Sequence, residues 1–334
     1  MEKSLINKPG VIALMQYDDG KSLEFSSGVE SIQANSPIDR NSIFDIASLS
    51  KQFTAFCILL LEKKGELKLN SLLSHYIPEA DVFKDDITIE NLIYHTSGLP
   101  CLFDIAEEKG IDYFSQFSRD EIISGVFEQR HLHFTPGSKH EYSNTGYILL
   151  ARIVENITGK SFADFVKQEV FRPIGMSHSF VFEGNSEKRA VSGYQKKENN
   201  VFAPVFSPWD VVGAGLVYSS ASDLMKWGLN FCSGLVGGKE LIKRMLTPLP
   251  ALTEAGVMIE EYSPYCFGIE RDEDASGEIY CHLGSTFGRE SYFIRSQQKG
   301  FTLTVLSNIE EYDVSATALK LFNGMIAMNS QSKN

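Results

Sequence analysis

A serine and a lysine lie three positions apart at the start of a long apolar run. They are Ser48 and Lys51, and the run extends over residues 53–61. In a helix, residues three apart lie on the same face. A serine hydroxyl is a weak nucleophile until a base takes its proton, and a lysine in a half-dry site can lose its own proton and act as that base. The pair therefore indicates an activated serine nucleophile.

The Ser-x-x-Lys pattern alone is weak evidence. It also occurs at Ser296–Lys299, within a polar turn signal, and at Ser330–Lys333, within a polar tail. We expect both of these copies to lie on the solvated surface. Ser48 is distinguished from them only if other parts of the chain supply catalytic partners.

Composition limits the classes of function. The 334 residues are 43% hydrophobic and 22% charged, which is ordinary for a globular protein and ample for a sizeable core. A net charge of −12 argues against nucleic acid as a partner. No run approaches the ~20 apolar residues of a membrane span. The first apolar run, residues 11–15, is shorter than the core of a secretion signal, so we expect a cytoplasmic protein with no membrane partner.

Cysteines and histidines give no sign of a disulfide framework, a metal site or a cofactor. The five cysteines are scattered, without a Cys-x-x-Cys pair, so free and mostly buried thiols are expected. None has the helix-start or histidine-paired context that activates a thiol. His131, His133 and His140 lie close together but lack a carboxylate or thiol at ligand spacing, so no metal is expected. The cysteines are Cys57, Cys101, Cys232, Cys266 and Cys281.

The two ends of the chain alternate like strands, and the middle is helical. Alternation predicts strands over 10–17, 23–28, 265–271, 278–283, 289–295 and 301–307. Helical patterns cover 48–64 (closed by Gly65), 147–156, 161–171, 221–229 and 314–328. The acidic segment 270–278 is expected to be a solvated hairpin turn, since its spacing does not suit calcium.

These patterns predict one α+β domain over residues 1–334. Residues 1–47 and 212–334 would form a central antiparallel sheet from both chain ends, with a helical lobe, 48–211, inserted between them. Clefts tend to form where such lobes meet, and Ser48 lies where the chain leaves the sheet for the helices.

Three further motifs accompany Ser48-x-x-Lys51. They are Tyr142-Ser143-Asn144, His282-Leu283-Gly284 and His95-Thr96-Ser97-Gly98-Leu99. The order Ser-x-x-Lys, Tyr-x-Asn, His-x-Gly resembles the penicillin-recognising serine hydrolases, in the branch of class C β-lactamases, D,D-peptidases and family VIII esterases. The resemblance covers nearly the whole chain, with further similar blocks at 46–55, 92–100 and 214–223. It implies the β-lactamase/transpeptidase fold.

The resemblance assigns the proton chemistry to three residues. Ser48 would attack the acyl carbon and form an acyl-enzyme, while Lys51 and Tyr142 would share the proton transfer as a coupled pair. We expect the nearby ammonium to push the phenol toward phenolate. Which of the two is the formal base stays open.

The remaining site residues follow from the same resemblance. Asn144 would hydrogen-bond Lys51 or a substrate amide. The backbone N–H groups of Ser48 and Ser285 would form an oxyanion hole, and Gly284 would let substrate approach the strand. His282 replaces the lysine of the commoner Lys-Thr-Gly motif, and we expect a role in the site rather than simple packing. His95 is expected to cap a turn behind the site.

Two departures from the family pattern bear on the substrate. Relatives that act on penicillins hold the substrate carboxylate with the Lys and Thr of Lys-Thr-Gly, whereas Leu283 offers no hydroxyl. Neutral acyl substrates are therefore favoured. Arg289 is close enough in sequence to replace the missing cation, although a solvated strand arginine is the expectation. Some of the following aromatics are expected to line an acyl pocket, and most to be core: Phe103, Tyr113, Phe114, Phe117, Phe202, Phe206 and Trp209.

The resemblance implies a serine hydrolase that cleaves carboxylic esters or small amides, D-amino-acid amides among them. Its partner would be a small ester, amide or short peptide; the sequence leaves the oligomeric state open. Three alternatives stay open: a D,D-peptidase, D-aminopeptidase or weak β-lactamase; an acyltransferase; and an inactive binding protein with the same fold.

Overall fold

The computed structural model describes residues 7–84, 86–112, 114–184, 189–206, 208–253, 256–274 and 277–331. The strands are β1 Val11–Tyr17, β2 Ser22–Ser27, β3 Val29–Ser31, β4 Ser36–Pro37, β5 Phe44–Asp45, β6 Phe180–Val181, β7 Gly193–Lys196, β8 Phe202–Val205, β9 Val217–Ser219, β10 Glu270–Asp274, β11 Gly277–Thr286, β12 Arg289–Ser296 and β13 Phe301–Ser307.

The α-helices are α1 Ser50–Lys64, α2 Ile89–Ile93, α3 Leu102–Glu108, α4 Arg119–Gln129, α5 Asn144–Thr158, α6 Phe162–Val166, α7 Arg172–Ile174, α8 Ala221–Ser233, α9 Lys239–Met245 and α10 Val314–Gln331. Short 3₁₀ turns cover Ala47–Leu49, Leu73–His75, Pro78–Phe83 and Glu198–Asn200, and a π-helical turn, Lys167–Phe171, joins α6 to α7.

One antiparallel sheet joins the two ends of the chain. Within the described residues it has six strands, in the order β10-β11-β12-β13-β1-β2. Strand β1 pairs with β13, so that Val11 lies opposite Ser307 and Tyr17 opposite Phe301. The predicted α+β fold, with its sheet built from both chain ends, is confirmed.

The sheet is covered by helices on both faces. Successive side chains of a strand point to opposite faces. Accordingly, Ile12 and Leu14 of β1 belong to the main core. Val11, Ala13 and Met15 instead pack in a second cluster with residues of α10. The continuous apolar run of β1, residues 11–15, thus follows from its burial between two helical layers.

Helix α1 lies in the centre of the main core. Its residues 50–61 are all buried, and residues 55–61 are apolar on every face, as expected for a helix enclosed by the core. Phe53 and Phe56 pack on Trp227 of α8, with ring centroids 4.8 and 5.1 Å away. The helix ends at Gly65, whose φ of 77° is the left-handed conformation that glycine favours at a helix end.

The strand predicted over 265–271 is wrong. The observed strand, β10, begins only at Glu270. Gly268 has a φ of 73°, and a Cβ atom there would lie 2.4 Å from the carbonyl oxygen of Lys51. This close approach to α1 requires a glycine turn, which alternation alone does not reveal. The acidic segment predicted as a turn is strand over residues 270–274, and residues 275–276 lie outside the described residues.

One of the two other Ser-x-x-Lys copies has different surroundings from those expected. Ser296 is fully buried rather than solvated, and its hydroxyl accepts a hydrogen bond from the Lys299 N–H at 3.2 Å. The copy at 330–333 ends outside the described residues. In the described part of the chain, no helix combines the length and the apolarity needed to cross a membrane.

Arg295 connects two hairpins of the sheet, and its removal should destabilise the protein. Its buried guanidinium donates to both carboxylate oxygens of Asp18, at 2.6 and 2.8 Å. Arg295→Ala should lower the free energy of unfolding by about 2–4 kcal/mol, because it leaves a cavity in place of a fully buried side chain and breaks the ion pair with Asp18. The control is Lys21→Ala, which removes an exposed ion pair and should cost about 1 kcal/mol or less. Urea unfolding of both variants would contradict the prediction if their losses were equal.

Candidate active site

Ser48 lies on a tight turn between strand β5 and helix α1. The residue before it, Ala47, has a φ of 49°, a left-handed conformation that is unfavourable for a residue with a Cβ. Two hydrogen bonds hold the turn. Asp45 Oδ1 accepts from the Ala47 N–H at 2.9 Å, and Ser291 Oγ donates to the Ile46 carbonyl at 2.8 Å. The nucleophile is therefore placed by a strained turn fixed from β5 and β12.

The first turns of α1 are tied to the segment that leads into β9. Ser50 Oγ accepts from the Val217 N–H at 3.0 Å. Thr54 Oγ1 donates to the Gly213 carbonyl at 2.7 Å. Both side chains are fully buried, so these bonds satisfy polar groups that would otherwise destabilise the core. They fix the orientation of the helix face that carries Lys51.

Lys51 is fully buried and surrounded by oxygen acceptors. Its Nζ lies 3.0 Å from Ser48 Oγ, 2.7 Å from Asn144 Oδ1 and 2.9 Å from the Ala214 carbonyl oxygen. Among the described residues no carboxylate pairs with it. Burial lowers the pKa of Lys51 to about 7. A neutral amine can donate its two N–H groups to Asn144 and Ala214 and turn its lone pair to the Ser48 hydroxyl.

Tyr142 approaches Ser48 from the start of α5. Lys51 Nζ lies 4.9 Å from the centroid of its ring. Burial raises the pKa of the Tyr142 phenol, and a hydrogen bond with Ser48 only partly opposes that rise. This direction is opposite to the expected shift of the phenol toward phenolate, and it comes from burial of the phenol end of a residue that is 39% exposed as a whole. Burial disfavours both the ammonium of Lys51 and the phenolate of Tyr142. It therefore favours the neutral amine and the neutral phenol.

His95 holds the peptide on both sides of Tyr142. Its carbonyl accepts from the Glu141 N–H at 2.8 Å, and its Nδ1 accepts from the Ser143 N–H at 3.1 Å. The imidazole centroid lies 4.3 Å from that of Tyr142. The prediction that His95 caps a turn behind the site is confirmed, and its ring also supports the Tyr142 ring.

His282 packs behind Tyr142 as a neutral side chain. It is only 3% exposed, and its Nε2 lies 3.2 Å from the Tyr265 hydroxyl. Burial, followed by the charge of Lys51, lowers the pKa of His282 to about 3. A neutral imidazole offers no cation in place of the lysine of Lys-Thr-Gly. The His282 ring lies beside the site, with its centroid 6.2 Å from the centroid of the Tyr142 ring.

Strand β11 passes directly against the nucleophile turn at Gly284. A Cβ atom there would lie 2.7 Å from the Ile46 carbonyl oxygen and 3.0 Å from the Ser48 nitrogen. Only glycine allows this approach. Ser285 then lines the same cavity as Ser48. Leu283 points away from the core and is 53% exposed.

The cavity at Ser48 measures about 80 Å³ and has an aromatic wall formed by Phe103, Trp209 and Phe287. Of the other predicted pocket aromatics, Phe117 is buried behind Trp209 and Tyr113 lies outside the described residues. A larger groove, about 990 Å³, lies between α1 and α9, but Ser48 does not line it. The reactive groups, rather than the volume, identify the site.

The other predicted aromatics lie outside the cavity wall. Exposed Phe114 lies 6.0 Å from Phe287, Phe206 lines a neighbouring groove, and Phe202 is half-buried in β8.

One expectation about a charged residue near the site is wrong. Arg289 is not solvated: it is 6% exposed, and its guanidinium donates to the Phe287 and Val191 carbonyls at 3.2 and 2.8 Å. Cys101 does occupy a helix start, at the N-cap of α3, although burial raises its pKa and keeps the thiol protonated. The hydrogen bond from Lys51 to the Ala214 carbonyl was not predicted from the sequence, because every residue has a backbone carbonyl whatever its type.

None of the five cysteines forms a disulfide, and Cys57, Cys266 and Cys281 are buried. Within the described ranges, no group of three or more His, Cys, Asp and Glu side chains is arranged to hold a metal ion.

Comparison with known proteins places this architecture in a family. The family model for β-lactamase matches residues 6–323. The chain belongs to the β-lactamase family. It is 30% identical over 301 residues to penicillin-binding protein 4* of Bacillus subtilis, and 25% identical over 308 residues to protein flp of Staphylococcus aureus. These matches cover 86% and 90% of this chain, but only 65% and 60% of the two relatives.

Solved structures show the same fold for this β-lactamase-family protein. A penicillin-binding protein from Bacillus halodurans superposes with a TM-score of 0.80 at 24% identity, covering 95% of each chain. D-amino acid amidase from Ochrobactrum anthropi gives a TM-score of 0.78 at 22% identity, covering 98% of this chain and 95% of the amidase.

The lowered pKa of Lys51 predicts a pH profile. If neutral Lys51 takes the Ser48 proton, kcat/KM for a neutral ester should rise with pH through about 7 and level off above it. Lys51→Arg, which stays protonated, should lower kcat/KM by about 10²–10⁴-fold. A profile that is flat or falls between pH 6 and 8 would contradict this assignment.

The contact at Gly284 predicts loss of activity in Gly284→Ala. The added methyl would push β11 away from Ser48, so kcat/KM should fall by about 10²–10³-fold, as when one oxyanion donor is lost. A matched control is Gly324→Ala on α10, where the new methyl would meet a Leu23 side-chain atom at an ordinary 3.4 Å. Equal activity of the two variants would refute the prediction.

Proposed function

We propose that this protein is a serine hydrolase that forms an acyl-enzyme on Ser48 and cleaves carboxylic esters or small amides. The observation that carries the proposal is the 3.0 Å separation between Lys51 Nζ and Ser48 Oγ, in a buried site that lowers the pKa of Lys51 to about 7. An amine at that pKa is half neutral at neutral pH, which suits a general base.

The proposed reaction begins with proton transfer from Ser48 Oγ to Lys51 Nζ as the oxygen attacks the acyl carbon. The backbone N–H groups of Ser48 and Ser285 stabilise the resulting oxyanion. Tyr142, protonated and close to both Ser48 and Lys51, then gives its proton to the leaving group and regains one from Lys51. Asn144 keeps Lys51 oriented. Water attacks the acyl-enzyme by the reverse proton path, and Ser48 is released.

Neutral acyl substrates are favoured over classical penicillins. At the positions where relatives use Lys and Thr, this chain has a neutral buried His282 and an exposed apolar Leu283. Arg289, the other cation considered, is turned inward onto two carbonyls. The structural likeness to a D-amino acid amidase supports amides of D-amino acids as substrates alongside esters. The partner is thus a small ester, amide or short peptide.

Covalent labelling tests the proposal. A fluorophosphonate should add once to the wild-type protein and not to Ser48→Ala, as read by intact mass. The same pair should then be compared on a p-nitrophenyl ester, a D-amino-acid amide and a chromogenic cephalosporin. We expect ester or amide turnover that is lost in Ser48→Ala, and little cephalosporin turnover. If Ser48→Ala is still labelled and still turns over the ester or amide, the proposed mechanism is wrong.

A further inference from the structure

Two side chains separate the nucleophile cavity from a larger groove. Trp209 and Leu216 line the cavity of about 80 Å³ at Ser48, and the same two residues line a neighbouring groove of about 450 Å³. Phe182 and Phe206 line the groove but not the cavity. Trp209 and Leu216 thus form a dividing wall between the nucleophile and a space several times larger.

The cavity lies on the acyl side of the reaction. In the proposed reaction Tyr142 protonates the leaving group, so the leaving group departs on the Tyr142 side of Ser48. Ser48, Asn144 and Ser285 line the cavity, whereas Tyr142 does not. The acyl group of the substrate therefore extends into the cavity, whose 80 Å³ is the room of a few water molecules.

Trp209 is fixed in the dividing wall by its neighbours. Its side chain is 5% exposed, and its ring centroid lies 5.5 Å from that of Phe103 and 5.4 Å from that of Phe117. The flanking backbone is held as well, because the Asp210 N–H donates to the Phe117 carbonyl at 2.9 Å and the Phe117 N–H donates to the Pro208 carbonyl at 3.4 Å. A ring held at these points resists displacement by a long acyl chain, since close-packed side chains have no free space to move into.

Leu216 occupies the dividing wall in a strained conformation. Its φ is 63°, a left-handed value that is unfavourable for a residue with a Cβ, and its side chain is 5% exposed. The Phe182 N–H donates to the Leu216 carbonyl at 2.9 Å, and the N–H of the next residue, Val217, donates to Ser50 Oγ at 3.0 Å. Strained residues other than glycine cluster at functional sites. Closing the cavity is a function that needs the Leu216 side chain, whereas glycine would adopt the same backbone without strain.

We propose that Trp209 and Leu216 are the specificity-determining residues that limit the acyl group of the substrate to a short chain. A short acyl chain fills the cavity and ends against the dividing wall, whereas a longer chain meets the wall before its acyl carbon reaches Ser48. Removing either side chain joins the cavity to the groove and gives a long chain room beside Phe182 and Phe206. This rests on the proposed function and names the residues that set its acyl specificity.

The test measures kcat/KM for the acetyl, butyryl, hexanoyl and octanoyl esters of p-nitrophenol with the wild-type protein, Trp209→Ala and Leu216→Gly. Wild type should prefer the butyryl over the octanoyl ester by about 10- to 100-fold, the size of a steric misfit in a packed site. Each variant should raise the octanoyl-to-butyryl ratio by about 10-fold or more, because the long chain then buries its methylene groups in the groove.

Phe206→Ala is the matched control, because Phe206 is an aromatic residue of the groove that does not line the cavity. With the dividing wall in place, this variant should keep the wild-type chain-length profile. If Phe206→Ala shifts the profile as strongly as Trp209→Ala, the dividing wall does not set the chain length and the proposal is wrong.

Two variants and the wild-type profile test the proposal independently. Leu216→Gly relieves the strained φ, so it serves if Trp209→Ala does not fold. Variants that keep the wild-type octanoyl-to-butyryl ratio contradict the proposal, and so does a wild-type protein that turns over the octanoyl ester as fast as the butyryl ester. Failure of the hydrolase itself is distinguishable, since it would appear as no fluorophosphonate adduct on Ser48 and no turnover of any ester.

Discussion

The burial of Lys51 without a carboxylate partner is the constraint on which the site depends. A charged ammonium in the core is costly, and at this position the cost is met by lowering its pKa to about 7 and by surrounding it with oxygen acceptors. Pairing with a carboxylate would have kept the lysine protonated and useless as a base. In the proposed reaction the burial of α1 is therefore part of the chemistry, because it leaves Lys51 able to take the Ser48 proton.

Placing those acceptors requires distant parts of the chain to meet at α1. Asn144 arrives at the start of α5, and the Ala214 carbonyl arrives in the loop before β9. Strand β11 comes from the other end of the chain and touches the nucleophile turn at Gly284. The antiparallel sheet built from both chain ends makes this last contact possible, because it places the C-terminal strands beside the residues that precede Ser48.

Burial also sets the charges on the substrate side of the site. His282 is buried and neutral behind Tyr142, and the Arg289 guanidinium points inward to backbone carbonyls, so neither presents a cation to the cavity. What the cavity does present is an aromatic wall of Phe103, Trp209 and Phe287.

The sequence by itself determined the order of the motifs, the sheet from both chain ends and the central helix, because alternation, apolar runs and residue spacing are local properties. It also named the side chains that meet at Ser48. Only the tertiary structure decided that burial lowers the pKa of Lys51 and raises that of Tyr142, that Arg289 is buried and that residues 265–268 turn against α1 instead of extending as a strand. Desolvation and close backbone contacts depend on atoms that come together from remote parts of the chain, so a local sequence pattern cannot predict them.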